Sequence, residues 1–248
     1  MKKLLIIFVL LLSLCLTACG QEPAAPTGGE QTPVSNETNE QEAKKDPYEI
    51  TYQNIKLYSS SLDTVWSQAI VEITNTGDKP LYLSSGAYDI EGTDGSLLAS
   101  QTLVSAFPQY IEPGEKGYYY EETTHDNIAA NQEVVLVPRP QVEDAQNEVI
   151  RFPVSDLNMV AGAYDMGVKI TGRVENTSTE EQTMVYVVAT LYDADGMPIG
   201  LMFQIVMEDI AAGDKIGFEI NSFSLPDDVN IDTVKDYTVV AYPLQMQF

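Results

Sequence analysis

Cysteine is almost missing from this chain. Cys15 and Cys19 are the only two, and both lie within the first twenty residues. Everything downstream therefore has no disulfide, no thiol nucleophile and no thiolate metal site. Histidine is as scarce, with His125 alone, which leaves imidazole-based hydrolysis and most metal chemistry short of parts. Positive charge is also thin: 13 basic residues against 37 acidic ones give a formal net charge of −24. Such a surface repels polyanions, so nucleic acid is excluded as a partner. It suits solubility and colloidal repulsion outside a cell. No apolar run reaches the roughly twenty residues of a membrane-crossing helix, and no stretch sustains helical periodicity.

What is present begins with Met1-Lys2-Lys3 and the apolar run Leu4–Leu14, the basic start and short apolar core of a secretory signal. The run closes in Leu16-Thr17-Ala18-Cys19-Gly20, which resembles the lipobox of bacterial lipoproteins. The resemblance implies removal of residues 1–18 and diacylation of Cys19. It places the protein on the outer face of a cell membrane, held there by its N-terminal lipid. Two acyl chains meet the double-anchor requirement of stable attachment. Loss of Lys2 and Lys3 with the signal takes the formal charge to −26. Residues 19–47 carry the lipidated cysteine and a Pro-, Gly-, Thr- and acid-rich stretch with no aromatic before Tyr48. Such a composition cannot offset the entropy of ordering and is expected to form a mobile linker, with an r.m.s. reach of about 30 Å. The acidity and the Pro/Thr-rich linker point to a single-membrane envelope.

From Tyr48 the pattern turns to β. Tyr48, Ile50, Tyr52, Ile55 and Leu57 alternate, and Val65–Thr74 continues to a turn at Asn75-Thr76-Gly77-Asp78. Strands are expected over Pro80–Ile90, Leu97–Phe107, Gly117–Glu121 and Glu133–Val137, the last stopped by Pro138-Arg139-Pro140. The polar segment Gln141–Glu148 marks a boundary, after which the pattern restarts. Ile150 and Phe152 follow Ile50 and Tyr52 by 100 residues. Asn176 follows Asn75 by 101, Asp195-Gly196 follows Asp94-Gly95 by 101, and Gly213 follows Gly114 by 99. A tandem duplication is read from these offsets, with one module over 48–142 and another over 143–248. Short strands with turns every 8–12 residues predict an all-β fold, two tandem antiparallel immunoglobulin-like sandwiches. In the second, Val185, Val187, Ala189 and Leu191 face the core. The opposite set, Tyr186, Val188, Thr190 and Tyr192, is apolar enough to need cover of its own.

Gly172-Arg-Val-Glu-Asn176-Thr, Val187-Val-Ala-Thr-Leu191-Tyr192-Asp193-Ala-Asp195-Gly196, Ala212-Gly213 and Phe218 together resemble the FxLYD-type module of bacterial and archaeal surface lipoproteins. Valine stands where that motif has its first aromatic. In the first copy Gly92-Thr93 reads as an insertion after Ile90-Glu91. The resemblance implies an accessory role at the cell surface and carries no catalytic residues.

Four candidate sites remain to be weighed. Asp193 and Asp195 begin an Asp-x-Asp-Gly that suits a hairpin turn better than a calcium loop, because Met197-Pro198-Ile199-Gly200 adds no ligand. Tyr118, Tyr119 and Tyr120 form either a core strand or an aromatic contact platform. His125-Asp126 reads as a solvated loop pair, with no nucleophile elbow nearby. The methionines show no metal-binding cluster and are taken as core filling. The expected function is a non-catalytic interaction module that meets a surface protein or polymer, without cofactor or metal. The alternative is capture of a metal ion or small ligand on acidic loops.

Overall fold

The computed structural model describes residues 46–59, 64–163, 167–221 and 225–245. The signal segment, Cys19 and the linker up to Lys45 lie outside them. The described chain is all-β and antiparallel, with no α-helix among the described residues. Eight strands come first: β1 (Tyr48–Ser59), β2 (Val65–Asn75), β3 (Leu81–Gly92), β4 (Leu97–Leu103), β5 (Ala106–Phe107), β6 (Tyr110–Ile111), β7 (Lys116–His125) and β8 (Val134–Asp144). Six follow: β9 (Val154–Ala161), β10 (Val168–Glu175), β11 (Val185–Tyr192), β12 (Pro198–Val206), β13 (Lys215–Asn221) and β14 (Asp236–Pro243).

The two groups repeat one topology. In the first, β1-β2-β7-β5 form one sheet, while β3 carries β4, β6 and β8 in the other. In the second, β9-β10-β13 form one sheet and β12-β11-β14 the other. Leaving aside the two-residue β5 and β6, strands one, two and five pair in each copy, as do strands three, four and six. That is the partition of an immunoglobulin-like sandwich. Each sandwich closes over its own core. Ile73, Leu83, Tyr88, Ile90 and Tyr119 fill the first, and Ile170, Val187, Leu191, Ile210 and Ile220 fill the second.

The duplication is visible in hydrogen bonds. Asn75 and Asn176 are both buried at the ends of β2 and β10. The Asn75 amide donates to the carbonyls of Lys79 and Ile111 at 2.8 and 3.1 Å and accepts from the Gly77 N–H at 3.0 Å. The Asn176 amide donates to Glu180 and Ile210 at 2.7 and 2.8 Å and accepts from the Ser178 N–H at 3.0 Å. Main-chain bonds to Gly114 and Glu115 in one copy match those to Gly213 and Asp214 in the other. Gly114 and Gly213 have φ of 83° and 82°, a left-handed turn conformation that glycine adopts freely. Each asparagine ties the turn after strand two to the turn before strand five.

Three expectations change. Val154 opposes Val174 as Ile50 opposes Ile73, so Val154 is the counterpart of Ile50. Phe152 instead bridges Ala241 on β14, and the offset of 100 at the first strand was coincidental. Gly92-Thr93 is not an insertion, because the turns Gly92–Ser96 and Asp193–Met197 close with the same backbone bonds. Ile90-Glu91-Gly92 therefore occupies the place of Leu191-Tyr192-Asp193. Finally, β8 runs through Pro138-Arg139-Pro140 to Asp144, opposite Leu81. Among the described strands it pairs only with β3, and prolines are tolerated on such an edge, where the missing N–H has no partner to lose. Half of the expected boundary segment is thus strand.

Alternation along β11 falls as expected. Val185, Val187, Ala189 and Leu191 are all inside the second core. The opposite face is covered too. Val188, Leu201 and Tyr242 form one buried cluster with Ile70, Phe107, Tyr118 and Tyr120 of the first sandwich. The outer face of β2, β5 and β7 meets the outer face of β11, β12 and β14. A Lys56–Asp228 ion pair joins the same two sandwiches beyond the apolar contact.

Candidate functional site

The tyrosine run does not form an exposed platform. All three residues are buried, because both faces of β7 are covered. Tyr119 points into the first core, and its hydroxyl bridges the carbonyls of Ser84 and Gln141 at 2.7 and 2.8 Å. Tyr118 and Tyr120 point the other way, into the seam between the sandwiches. Burial pushes the pKa of each well above the ordinary phenol value, so all three keep their protons.

Asp193 and Asp195 lie at a hairpin tip. The Asp193 Oδ1 accepts from the N–H groups of Asp195 and Met197, both at 2.9 Å, and Gly196 takes φ of 76°. This carboxylate shapes the turn. No group of three or more His, Cys, Asp or Glu residues placed to hold a metal occurs among the described residues. Among the described residues no hydrogen bond joins Asp193 or Asp195 to the tyrosine run.

His125 is the last residue of β7 and is buried, not solvated in a loop. Its Nε2 lies 2.8 Å from the Ser67 hydroxyl. Burial lowers its pKa against the opposing effect of Asp126. Ser67 is itself fully buried, so the pair offers no accessible nucleophile.

The seam carries the features that sequence reasoning did not assemble. Aromatic rings from both sandwiches meet along it. Phe107 stacks on Phe203 with centroids 4.8 Å apart, and Tyr186 stacks on Tyr242 at 5.6 Å. Phe107 and Tyr186 are 6.3 Å apart, which makes the four rings continuous. At one side of this stack opens a groove of about 240 Å³, lined by Val104, Phe107, Tyr186, Phe203, Tyr242 and Leu244 among others. Its rim is apolar and wet: Val104 is 57 % exposed, Phe203 45 % and Leu244 39 %. Met184 is exposed beside Leu244 and accepts its N–H at 3.1 Å. Met197 and Met207 are exposed as well, so these methionines do not fill a core.

On the other side of Phe107 the seam becomes polar. Glu72 is buried and faces the Lys116 ammonium at 2.9 Å, and it accepts from the Thr51 hydroxyl at 2.7 Å. Burial alone would push its pKa up. Lys116 and the hydroxyls of Thr51 and Tyr118 outweigh that and hold it below the ordinary carboxylate value. From Tyr118 a chain of hydroxyls crosses the seam, to Tyr192 at 2.9 Å and on to Thr238 at 3.3 Å. The Arg151 guanidinium donates to Glu115 at 2.9 Å and to the Tyr110 carbonyl, and it lies 5.8 Å from the centre of the Tyr242 ring. A cleft of about 340 Å³ opens over these groups.

One sign of the seam was present in the sequence, the apolar outer set of β11. Its partners were not, because Phe107 and Phe203 sit in strands whose outward direction depends on register. No protein-family model matches this sequence, and no curated protein matches it.

Proposed function

We propose that this protein is a lipid-anchored surface binding protein without catalytic chemistry, acylated at Cys19 and holding its paired sandwiches outside the membrane. The observation that carries the binding reading is the exposed apolar rim of Val104, Phe203 and Leu244 around the stacked aromatics of the seam. Clustered exposed apolar side chains around a groove mark interaction sites on soluble folds, and aromatic anchors supply most of the contact energy in such sites. The partner is a surface protein or polymer that buries an apolar group in this groove. The lipobox supports the address, and the FxLYD-type resemblance supports the accessory role.

The reading is tested by placing a photoreactive residue at position 203 or 104 of the full-length protein on intact cells, with position 157 on the far sheet as control. The expected result is one adduct shared by 203 and 104 and missing from 157. Equal labelling from all three positions, or none from 203, overturns it. The anchor has its own measurement: membrane-extracted protein should carry the mass of a diacylated Cys19, and Cys19→Ser should release it to the medium.

A further inference from the structure

The polar cleft lies across Phe107 from the apolar groove, and its chemistry differs. Two of the few cations of this acidic chain, Lys116 and Arg151, line it. Each already faces a carboxylate at 2.9 Å, Lys116 that of Glu72 and Arg151 that of Glu115. The cleft is therefore charge-compensated. An anion entering it finds no free positive charge and must cross the field of a strongly acidic protein, and a cation meets two fixed positive groups. Neither sign is favoured.

What remains available is hydroxyl and apolar surface. Tyr118, Tyr192, Thr190 and Thr238 all line the cleft. Thr190 is only 5 % exposed and lines the cleft. Phe107, Pro108 and Val240 complete the lining with apolar surface. The volume of about 340 Å³ lies within the range of small-molecule sites.

We propose that this cleft binds the neutral sugar ring of a saccharide, a second function separate from the groove. A pyranose ring presents an apolar C–H face and a circle of hydroxyls that both donate and accept. The apolar lining matches the first, and tyrosine and threonine hydroxyls match the second, since each of them also donates and accepts. Ion pairs fixed on either side supply further donors and acceptors without demanding a charged ligand. Thr190 is the position that discriminates, because it lines the cleft outside the Tyr118–Tyr192–Thr238 chain of hydroxyls.

The test uses the mature acylated protein in detergent micelles and saturation-transfer NMR. Neutral gluco- and N-acetylglucosamine disaccharides form one arm, and a uronic-acid disaccharide and a short peptide with a free carboxylate form the other. Saturation transfer to the C–H protons of at least one neutral sugar is expected, with little to either anion. Thr190→Val keeps the shape and removes the hydroxyl, and should weaken binding about fivefold or more. Val104→Ser, at the exposed rim of the groove, should leave it unchanged, which separates this site from the partner surface above. Should Thr190→Val fail to fold, amide shifts in the unmodified protein decide the matter, and sugar-induced changes are expected at Thr190, Tyr192 and Thr238. No transfer to any neutral sugar, unchanged affinity in a folded Thr190→Val, stronger binding of the anions, or shifts confined elsewhere overturns the proposal.

Discussion

At the scale of single residues, the two buried asparagines do the same work in both sandwiches. Asn176→Ala takes one donor from each of the carbonyls of Glu180 and Ile210, which keep the Ser178 hydroxyl and the Gln182 N–H, and removes the acceptor of the Ser178 N–H; it is expected to cost about 1–3 kcal/mol. Urea denaturation reads this, and Ser178→Ala, nearer the surface, should cost clearly less. Glu72 gives a pH signature. Its carboxyl is held below the ordinary value in the folded protein, so as acid is added the unfolded chain takes up the proton first. The stability it contributes is full above the ordinary carboxylate range and is lost as pH falls through the lowered folded value. Glu72→Gln should flatten the melting temperature below about pH 4.5 relative to the unmodified protein. His125 acts in the same direction at higher pH. Its lowered value means stability declines as pH falls below about 6.5, and His125→Gln should remove that part of the decline.

At the scale of strands, the link between β3 and β8 is the most exacting. Their register shifts between Ser84 and Ala87, and a Cβ at Gly86 would lie 2.6 Å from the Arg139 carbonyl oxygen and 2.9 Å from the Pro140 Cα. Both are backbone atoms, so neither can rotate away. Gly86→Ala should cost about 1–3 kcal/mol and raise hydrogen exchange along β8 first. How far the strands were legible follows from the same physics. The asparagine and glycine turns could be read because few residues fulfil those roles, and they fixed the repeat. The core face of β11 could be read because period-two alternation is strict there. The continuation of β8 through two prolines could not, because only its edge position makes them harmless. The alternation of β1 also misled, since a bulge between Ile50 and Tyr52 changes its phase and leaves Ile50 exposed while Tyr52 joins the seam.

At the scale of the molecule, the seam joins what the duplication made separate. Val188 is buried against Ile70 and its neighbours, and Val188→Asp would bury a charge there with no partner provided. Calorimetry of the unmodified protein should show one unfolding transition, and of Val188→Asp two, one for each sandwich. The candidate site was mostly illegible in the sequence because it belongs to this contact. The groove needs Phe107 from one copy and Phe203 from the other, and the cleft needs Tyr118 from one and Thr190 from the other. No spacing along the chain announces such a pairing.

The seam also joins unlike sheets, β1-β2-β7 of one copy with β11-β12-β14 of the next. Such a head-to-tail contact is not self-closing, and by itself leaves a surface at either end for a further copy to add. What stops the series is written in the residues that stand at equivalent places. Where the seam has Thr190 and Leu201, the free end has Asp89 and Ser100, and Asp89 is paired with Arg139. Where it has Ile70, Glu72 and Tyr120, the opposite end has Thr171, Arg173 and Glu219, the last two paired with Asp156 and Lys169. Those surface ion pairs add little stability. They act as caps on a stack two members long, and exchanging them for apolar residues should let sedimentation detect growing chains of this protein.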